Sequence, residues 1–255
     1  MQLIDTHAHL YLQQFDQDRT VVVKRAIDSG VSHMLLPNVD QTTISQMMQL
    51  HGDFPESCIP MMALHPTSVK NDWKKQFLSI EKQLEKNKFC AIGETGIDLY
   101  WDKTFYKKQC DVFEKHIELA GHYDLPLVIH SRNSLKEILD IMKNKSGSNI
   151  HGVFHCFPGN VEEANKVIEL GFMIGVGGVV TYKNSAIAKV VENIDLKHLL
   201  LETDAPYLAP VPKRGKRNES SYLVFIAEKI AEIKGIHVNE VAAVTTNNAI
   251  NLFGL

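Results

Sequence analysis

Two histidines one residue apart, His7 and His9, end the short apolar run of the opening segment LIDTHAHL. Successive side chains of an extended chain alternate between faces, so both imidazoles point the same way and Asp5 shares their side. Imidazoles on one face suit a borderline divalent ion such as zinc or manganese, and carboxylates supplied from elsewhere pull the preference toward harder ions. Alone, the pair is a weak signal. It gains weight because ligand-type residues recur at later apolar runs: His65 after residues 59–64, Glu94 after 89–92, His130 after 125–129, His155 after 150–154, and Glu202 and Asp204 after 198–201.

The elements that must bring these residues together follow from the alternation of the chain. Runs at residues 3–10, 32–39, 59–64, 89–92, 125–129, 150–154, 172–176 and 198–201 read as strands, several of them continuous enough to be buried on both faces. Helix-like spacing covers residues 16–29, 42–50, 73–86, 105–123, 134–143, 161–170, 185–191 and 222–233, with a closing helix over 238–253. Eight strand-then-helix units imply an α/β fold whose parallel sheet closes into a single (β/α)₈ TIM barrel, and 255 residues suits one. No linker-like or low-complexity stretch divides the chain, so one domain over residues 1–255 is expected. In such barrels the site lies at the C-terminal rim of the strands, where polar residues distant in sequence converge. Strands one and eight are neighbours in a closed barrel, which puts His7, His9 and Asp204 around one ion. Strands five and six put His130 and His155 beside a second, with Glu94 from strand four placed to bridge both.

Composition narrows the function classes. A net charge of −3 offers no global attraction to nucleic acid, so any such binding needs a local basic patch. Hydrophobic residues at 44% and charged residues at 22% are ordinary globular usage and exclude disordered and fibrous classes. Cys58, Cys90, Cys110 and Cys156 form no CxxC pair, which suits buried thiols in a reducing compartment. No charged segment precedes an apolar leader, and the longest apolar run, residues 172–180, is too short to span a bilayer. The expectation is a soluble cytoplasmic monomer without a membrane partner.

The blocks LIDTHAHL, ALHP, AIGETGID, LPLVIHSR, GVFHCFPGN, GVGGVVTYKN, LLLETDAPYLAP, RGKRNE and TTNNAINLFGL occur in this order along the whole chain. Together they resemble the TatD family of metal-dependent deoxyribonucleases, within the amidohydrolase-like barrels. The resemblance implies a two-metal phosphoesterase, with His7, His9, Glu94, His130, His155 and Asp204 matching the family's ligand positions and two divalent ions (Mg, Mn or Zn) as cofactors. Four positions depart from the pattern. Tyr11 stands where an Asp is usual after HxHL, Thr67 replaces the second His of HPH, Asn133 stands where HSRD is usual, and Pro158 replaces the Ser of HCFSG. They bear on substrate preference and on the groups behind the ligands. Glu94 also separates the chain from related barrels in which a modified lysine bridges the metals.

Two ions about 3.5 to 4 Å apart can clamp a phosphodiester, one activating water and the other stabilising the leaving oxygen. Asp204 is both an expected ligand and the candidate general base, and Glu94, as the bridging carboxylate, is grouped with it as catalytic. Glu202 is placed to orient a histidine through its distal nitrogen. Arg132 and His65 are candidates to grip phosphate, Arg132 as a planar fork. Lys213, Arg214, Lys216 and Arg217, four charges in five residues, read as a strip that tracks a nucleic-acid backbone. Tyr100 and Trp101 are candidates to stack a terminal base. The expected function is hydrolysis of DNA, single-stranded or near a strand end, by a divalent-metal-dependent phosphodiesterase acting exonucleolytically. The rivals are a hydrolase of a small ester, lactone or amide, and a non-catalytic metal-containing binding protein.

Overall fold

The structure, a computed structural model, describes residues 1–145 and 150–255. Its strands are β1 (Leu3–Asp5), β2 (Val31–Pro37), β3 (Cys58–Met61), β4 (Ile92–Asp98), β5 (Leu127–Arg132), β6 (Gly152–Phe154), β7 (Phe172–Val176) and β8 (Leu199–Leu201). They pair in parallel as two arcs, β1-β2-β3 and β4-β5-β6-β7-β8. Backbone hydrogen bonds stitch both seams. Cys90 donates to Pro60 (3.2 Å), Met62 to Ala91 (3.2 Å) and Gly93 to Met62 (3.3 Å) on one side; on the other, Thr6 donates to Leu201 (3.0 Å), Asp204 to His7 (2.9 Å) and His9 to Ala205 (2.7 Å). The result is the TIM barrel that the alternation of the sequence predicts.

The helices are α1 (Arg19–Asp28), α2 (Ile44–Asp53), α3 (Trp73–Lys86), α4 (Tyr106–Tyr123), α5 (Leu135–Asn144), α6 (Val161–Glu169), α7 (Ala186–Asn193), α8 (Leu223–Lys234) and α9 (Val238–Phe253). Each lays an apolar stripe on the barrel; that of α5 is Leu135, Ile138, Leu139 and Met142, at helical spacing. The start of α6 is set by a capping box, in which Asn160 accepts from the Glu163 N–H while the Glu163 carboxylate accepts from the Asn160 N–H. Among the described residues no helix is long and apolar enough to cross a membrane.

The barrel interior explains where the polar residues must go. Ile4, Leu35, Met61, Ala91, Val128, Val153 and Leu200 form one buried cluster with Ala249 and Phe253 of α9, which plugs the N-terminal mouth. Because strand side chains alternate, the same inward face continues two residues on to His130 and His155, and four residues past Leu200 to Asp204. Their neighbours Ile129, Phe154 and Leu201 belong to the larger core under the helices.

Two places break this parity, and both change an expectation. Ile4 faces inward, so Asp5 does not share the side of His7 and His9; the chain leaves the strand after Asp5 and turns the two histidines in. The Asp5 carboxylate instead accepts from the Thr203 N–H (2.9 Å), the Thr203 hydroxyl (2.6 Å) and the His7 N–H (3.3 Å). In β4, Glu94 lies inside the strand rather than beyond it. The register shifts between Gly93 and Thr95, a bulge that aims Glu94 inward while Thr95 turns out to bond His116 of α4 (2.7 Å). Gly96, at φ 133°, hid the strand: a Cβ there would overlap the His130 carbonyl oxygen, so a residue that reads as a turn is what lets β5 approach. β5 likewise extends through His130 to Arg132.

Asp5→Ala should therefore loosen the β8–β1 seam by leaving buried donors unpaired, at a cost of about 1–3 kcal/mol. For a chain of this size that is a fall in Tm of several degrees. Calorimetry of chelator-treated protein checks it, and an unchanged Tm would mean that the carboxylate does not hold the seam.

Candidate metal centre

Glu94 is 2% exposed, and its two oxygens face different groups. Oε2 lies 3.0 Å from His7 Nε2 and 3.6 Å from His9 Nε2. Oε1 lies 2.7 Å from His130 Nδ1, 3.3 Å from His65 Nε2 and 3.5 Å from His155 Nε2. Asp204 Oδ1 completes the first group, 3.6 Å from His9 Nε2 and 3.9 Å from His7 Nε2. The six residues expected as ligands thus meet at one point of the C-terminal rim. His155 departs from the expected pairing: its ring stacks on His7 (centroids 3.5 Å apart) and lies 6.3 Å from that of His130, so it falls between the two groups.

Burial and pairing pull the ionisation of these groups in opposite directions. Burial pushes Glu94 up, yet the imidazoles of His65, His7 and His155 hold it well below the usual carboxylate range. Burial lowers His7 and His65, so both rings are neutral at pH 7. Burial also opposes charge on His130 and His155, but Asp98 and Glu94 raise the first, and Glu202 and Glu94 raise the second to about 10. Asp204 is pushed up to about 6 by burial, against the pull of His155 and His9. His7 Nε2 and His9 Nε2 stand only 3.3 Å apart while both face Glu94 Oε2. His7 Nδ1 is buried without a hydrogen-bond partner among the described residues, and a converging set of imidazole nitrogens and carboxylate oxygens is what Zn, Mn or Mg accept. The donor set fits a divalent ion.

Groups behind these residues set which nitrogen faces inward. Glu202 Oε2 lies 3.2 Å from His155 Nδ1, and its Oε1 accepts from the Cys156 N–H. The Tyr11 hydroxyl gives its one proton to the Pro37 carbonyl, so it accepts from His9 Nδ1 (3.0 Å) and leaves His9 Nε2 with its lone pair directed inward. At His65 the opposite holds: Nδ1 accepts from the Thr67 N–H (3.1 Å), so Nε2 carries the proton and is a donor, not a ligand. Asp98, on His130 Nε2 at 2.9 Å, is a residue that sequence reasoning missed. Its signal was the i, i+4 spacing with Glu94, legible only if β4 is followed through residue 98.

A sequence profile described as "TatD related DNase" matches residues 4–254. The chain belongs to the TatD family. It is 37% identical over 252 residues to the uncharacterized metal-dependent hydrolase YabD of Bacillus subtilis, covering 98% of each chain. It is 31% identical over 257 residues to YcfH of Escherichia coli, also named as an uncharacterized metal-dependent hydrolase, covering 99% of this chain and 96% of that one. Among solved structures, YjjV, a TatD homologue from Escherichia coli, superposes with a TM-score of 0.92 at 28% identity, over 99% of this chain and 98% of that one. The protein is accordingly a metal-dependent hydrolase.

Within this TatD barrel the expected substrate contacts divide. A cavity of about 620 Å³ opens over Glu94 and Asp204, and His65, Trp101 and Arg132 line it. The Arg132 guanidinium lies 3.9 Å over the Tyr100 ring and makes no hydrogen bond or ion pair among the described residues. The basic run does not join them. Arg217 donates to both oxygens of Asp18 (2.8 and 2.6 Å) and to the Gln14 carbonyl (2.7 Å), and Arg214 stacks over Tyr182 (4.4 Å). Lys213, Lys216 and Arg217 line a separate cleft of about 670 Å³ that shares no residue with the first. The physical reason is the Arg217–Asp18 pair, which draws the end of the loop toward α1, while Asn218 ties its base to the Thr203 and Tyr207 carbonyls (2.7 Å each).

Tyr11, where the family usually has Asp, therefore takes over the orientation of His9. Tyr11→Phe should weaken ion binding about 10–100-fold, the usual cost of losing a group behind a ligand, with the fold intact. Calorimetric metal titration decides it: wild-type affinity would mean His9 is held by other contacts.

Proposed function

We propose that the chain works as one barrel domain over residues 1–255 that hydrolyses phosphodiesters of DNA near a single-stranded end, with two divalent ions held on either side of Glu94. The observation that carries this reading is the split of that carboxylate, one oxygen toward His7 and His9 and the other toward His130 and His155. Ions held there supply Lewis acidity toward a phosphoryl oxygen and lower the pKa of water. Asp204, inside the pocket and with its backbone in the left-handed region (φ 56°), is the general base that takes the proton of the attacking water. His65, held as an Nε2 donor, and Arg132, a planar fork stacked on Tyr100 and without a hydrogen bond or ion pair among the described residues, take the nonbridging oxygens. Trp101, 69% exposed on the cavity wall, offers a face to a terminal base. The family description, "TatD related DNase", supports the same substrate class.

One observation favours a smaller substrate: Lys213, Lys216 and Arg217 line another cleft and Arg214 stacks on Tyr182, so none of the four lines the pocket. The second reading is therefore a hydrolase of a small ester, lactone or amide on the same centre.

Chelated protein reloaded with Mn²⁺ and offered an end-labelled single-stranded oligonucleotide, a chromogenic phosphodiester and a panel of carboxyl esters and lactones separates the two. Stepwise loss of terminal nucleotides is expected, and turnover of esters or lactones with intact oligonucleotide would overturn the reading. Asp204→Asn should lower kcat by about 10² to 10⁴-fold with KM little changed, provided metal content is matched. Near wild-type turnover with full metal would place the base elsewhere.

A further inference from the structure

Asp98, at the end of β4, has a carboxylate divided between two tasks. Oδ2 lies 2.9 Å from His130 Nε2, on the side of the ring away from Glu94. Oδ1 accepts from the backbone N–H groups of Tyr100 (2.9 Å) and Trp101 (3.2 Å). Gln109 of α4 fixes the backbone beneath it, accepting from the Asp98 N–H (2.8 Å) and donating to the Asp98 carbonyl (3.2 Å). Tyr100 is in turn the ring on which the Arg132 guanidinium rests, with Trp101 at 5.3 Å.

We propose that Asp98 is a positioning residue that couples ion binding at His130 to the conformation of the Tyr100–Trp101 loop, and through that loop to Arg132. The inference rests on the reading of His130 as a ligand. His130 turns Nδ1 toward Glu94, so ligation there requires the ring proton on Nε2, and a carboxylate acceptor facing Nε2 selects that tautomer. The loop needs the same group for a different reason. Tyr100 and Trp101 are 53% and 69% exposed, so little burial holds them; the Leu99 N–H ties the start of the loop to the Arg132 carbonyl (2.9 Å), and the two backbone hydrogen bonds to the charged Asp98 acceptor hold the two aromatic residues themselves.

The two tasks separate by substitution. Asp98→Asn keeps an oxygen for the two backbone donors, which disfavour the flipped amide, and sets an NH₂ group against His130 Nε2. That favours the proton on Nδ1, the wrong tautomer for ligation. Asp98→Ala removes both functions.

The test uses full-length protein stripped with chelator and titrated with Zn²⁺ by calorimetry, alongside acrylamide quenching of tryptophan emission and binding of inorganic phosphate to the zinc-loaded chain. Trp73 is buried, so the quenchable signal belongs to Trp101, and Trp101→Phe verifies it. Asp98→Asn is expected to weaken one ion by about 10–100-fold while Trp101 quenching stays as in wild type. Asp98→Ala is expected to lose the same ion, to raise Trp101 quenching and to weaken phosphate binding. Wild-type ion affinity in Asp98→Asn, or unchanged quenching and phosphate binding in Asp98→Ala, would overturn the coupling. His130→Gln separates the two levels: if it keeps both ions, the ligand reading falls along with this one, and if it loses an ion that Asp98→Asn keeps, only the role of Asp98 falls. Should the Asp98 variants lose their melting transition, nitrogen NMR of zinc-loaded wild type decides: a proton on His130 Nε2 supports the proposal and a proton on Nδ1 overturns it.

Discussion

An ionised carboxylate with five imidazoles within 3.6 Å is the constraint on which the rest of the site depends. Burying such a charge is costly unless it is paired and hydrogen-bonded, and Glu94 is almost wholly buried. Its neighbours therefore have to be where they are. The β4 bulge aims the carboxylate inward, Gly96 lets β5 close on β4, and β5 then delivers His130 to one oxygen while the end of β1 delivers His7 and His9 to the other.

Barrel closure and the geometry of the centre rest on the same bonds. The bonds that join β8 to β1, Asp204 to the His7 carbonyl and His9 to the Ala205 carbonyl, run through candidate ligands themselves. Asp5 and Thr203 lock the same seam from behind. A TatD barrel of this kind cannot splay at that seam without pulling His7, His9 and Asp204 apart, which ties the stability of the fold to the geometry of the site.

What the sequence disclosed follows from what strand periodicity can report. Alternating strand-like and helix-like runs were enough for the barrel, and polar residues just past apolar runs were enough to gather His65, His130, His155 and Asp204 at one rim. Periodicity fails where the strand is irregular: β4 has no apolar run through Gly93–Gly96, so Glu94 reads as lying beyond the strand and Asp98 goes unseen. Asp5 misled for the same reason, since the chain leaves the strand between it and His7. The stacking of His155 on His7 and the turn of the basic run toward Asp18 depend on contacts between residues far apart in sequence. No local pattern carries those, because a charge run looks alike whether it faces a substrate or folds back on its own surface.

Whether Glu94 stands between two ions is decided by anomalous diffraction above the manganese edge from crystals grown with Mn²⁺. Two peaks about 3.5 to 4 Å apart are expected, one bonded to Glu94 with His7 and His9 and the other to Glu94 with His130. A single peak, or peaks bonded to neither oxygen of Glu94, would contradict that placement.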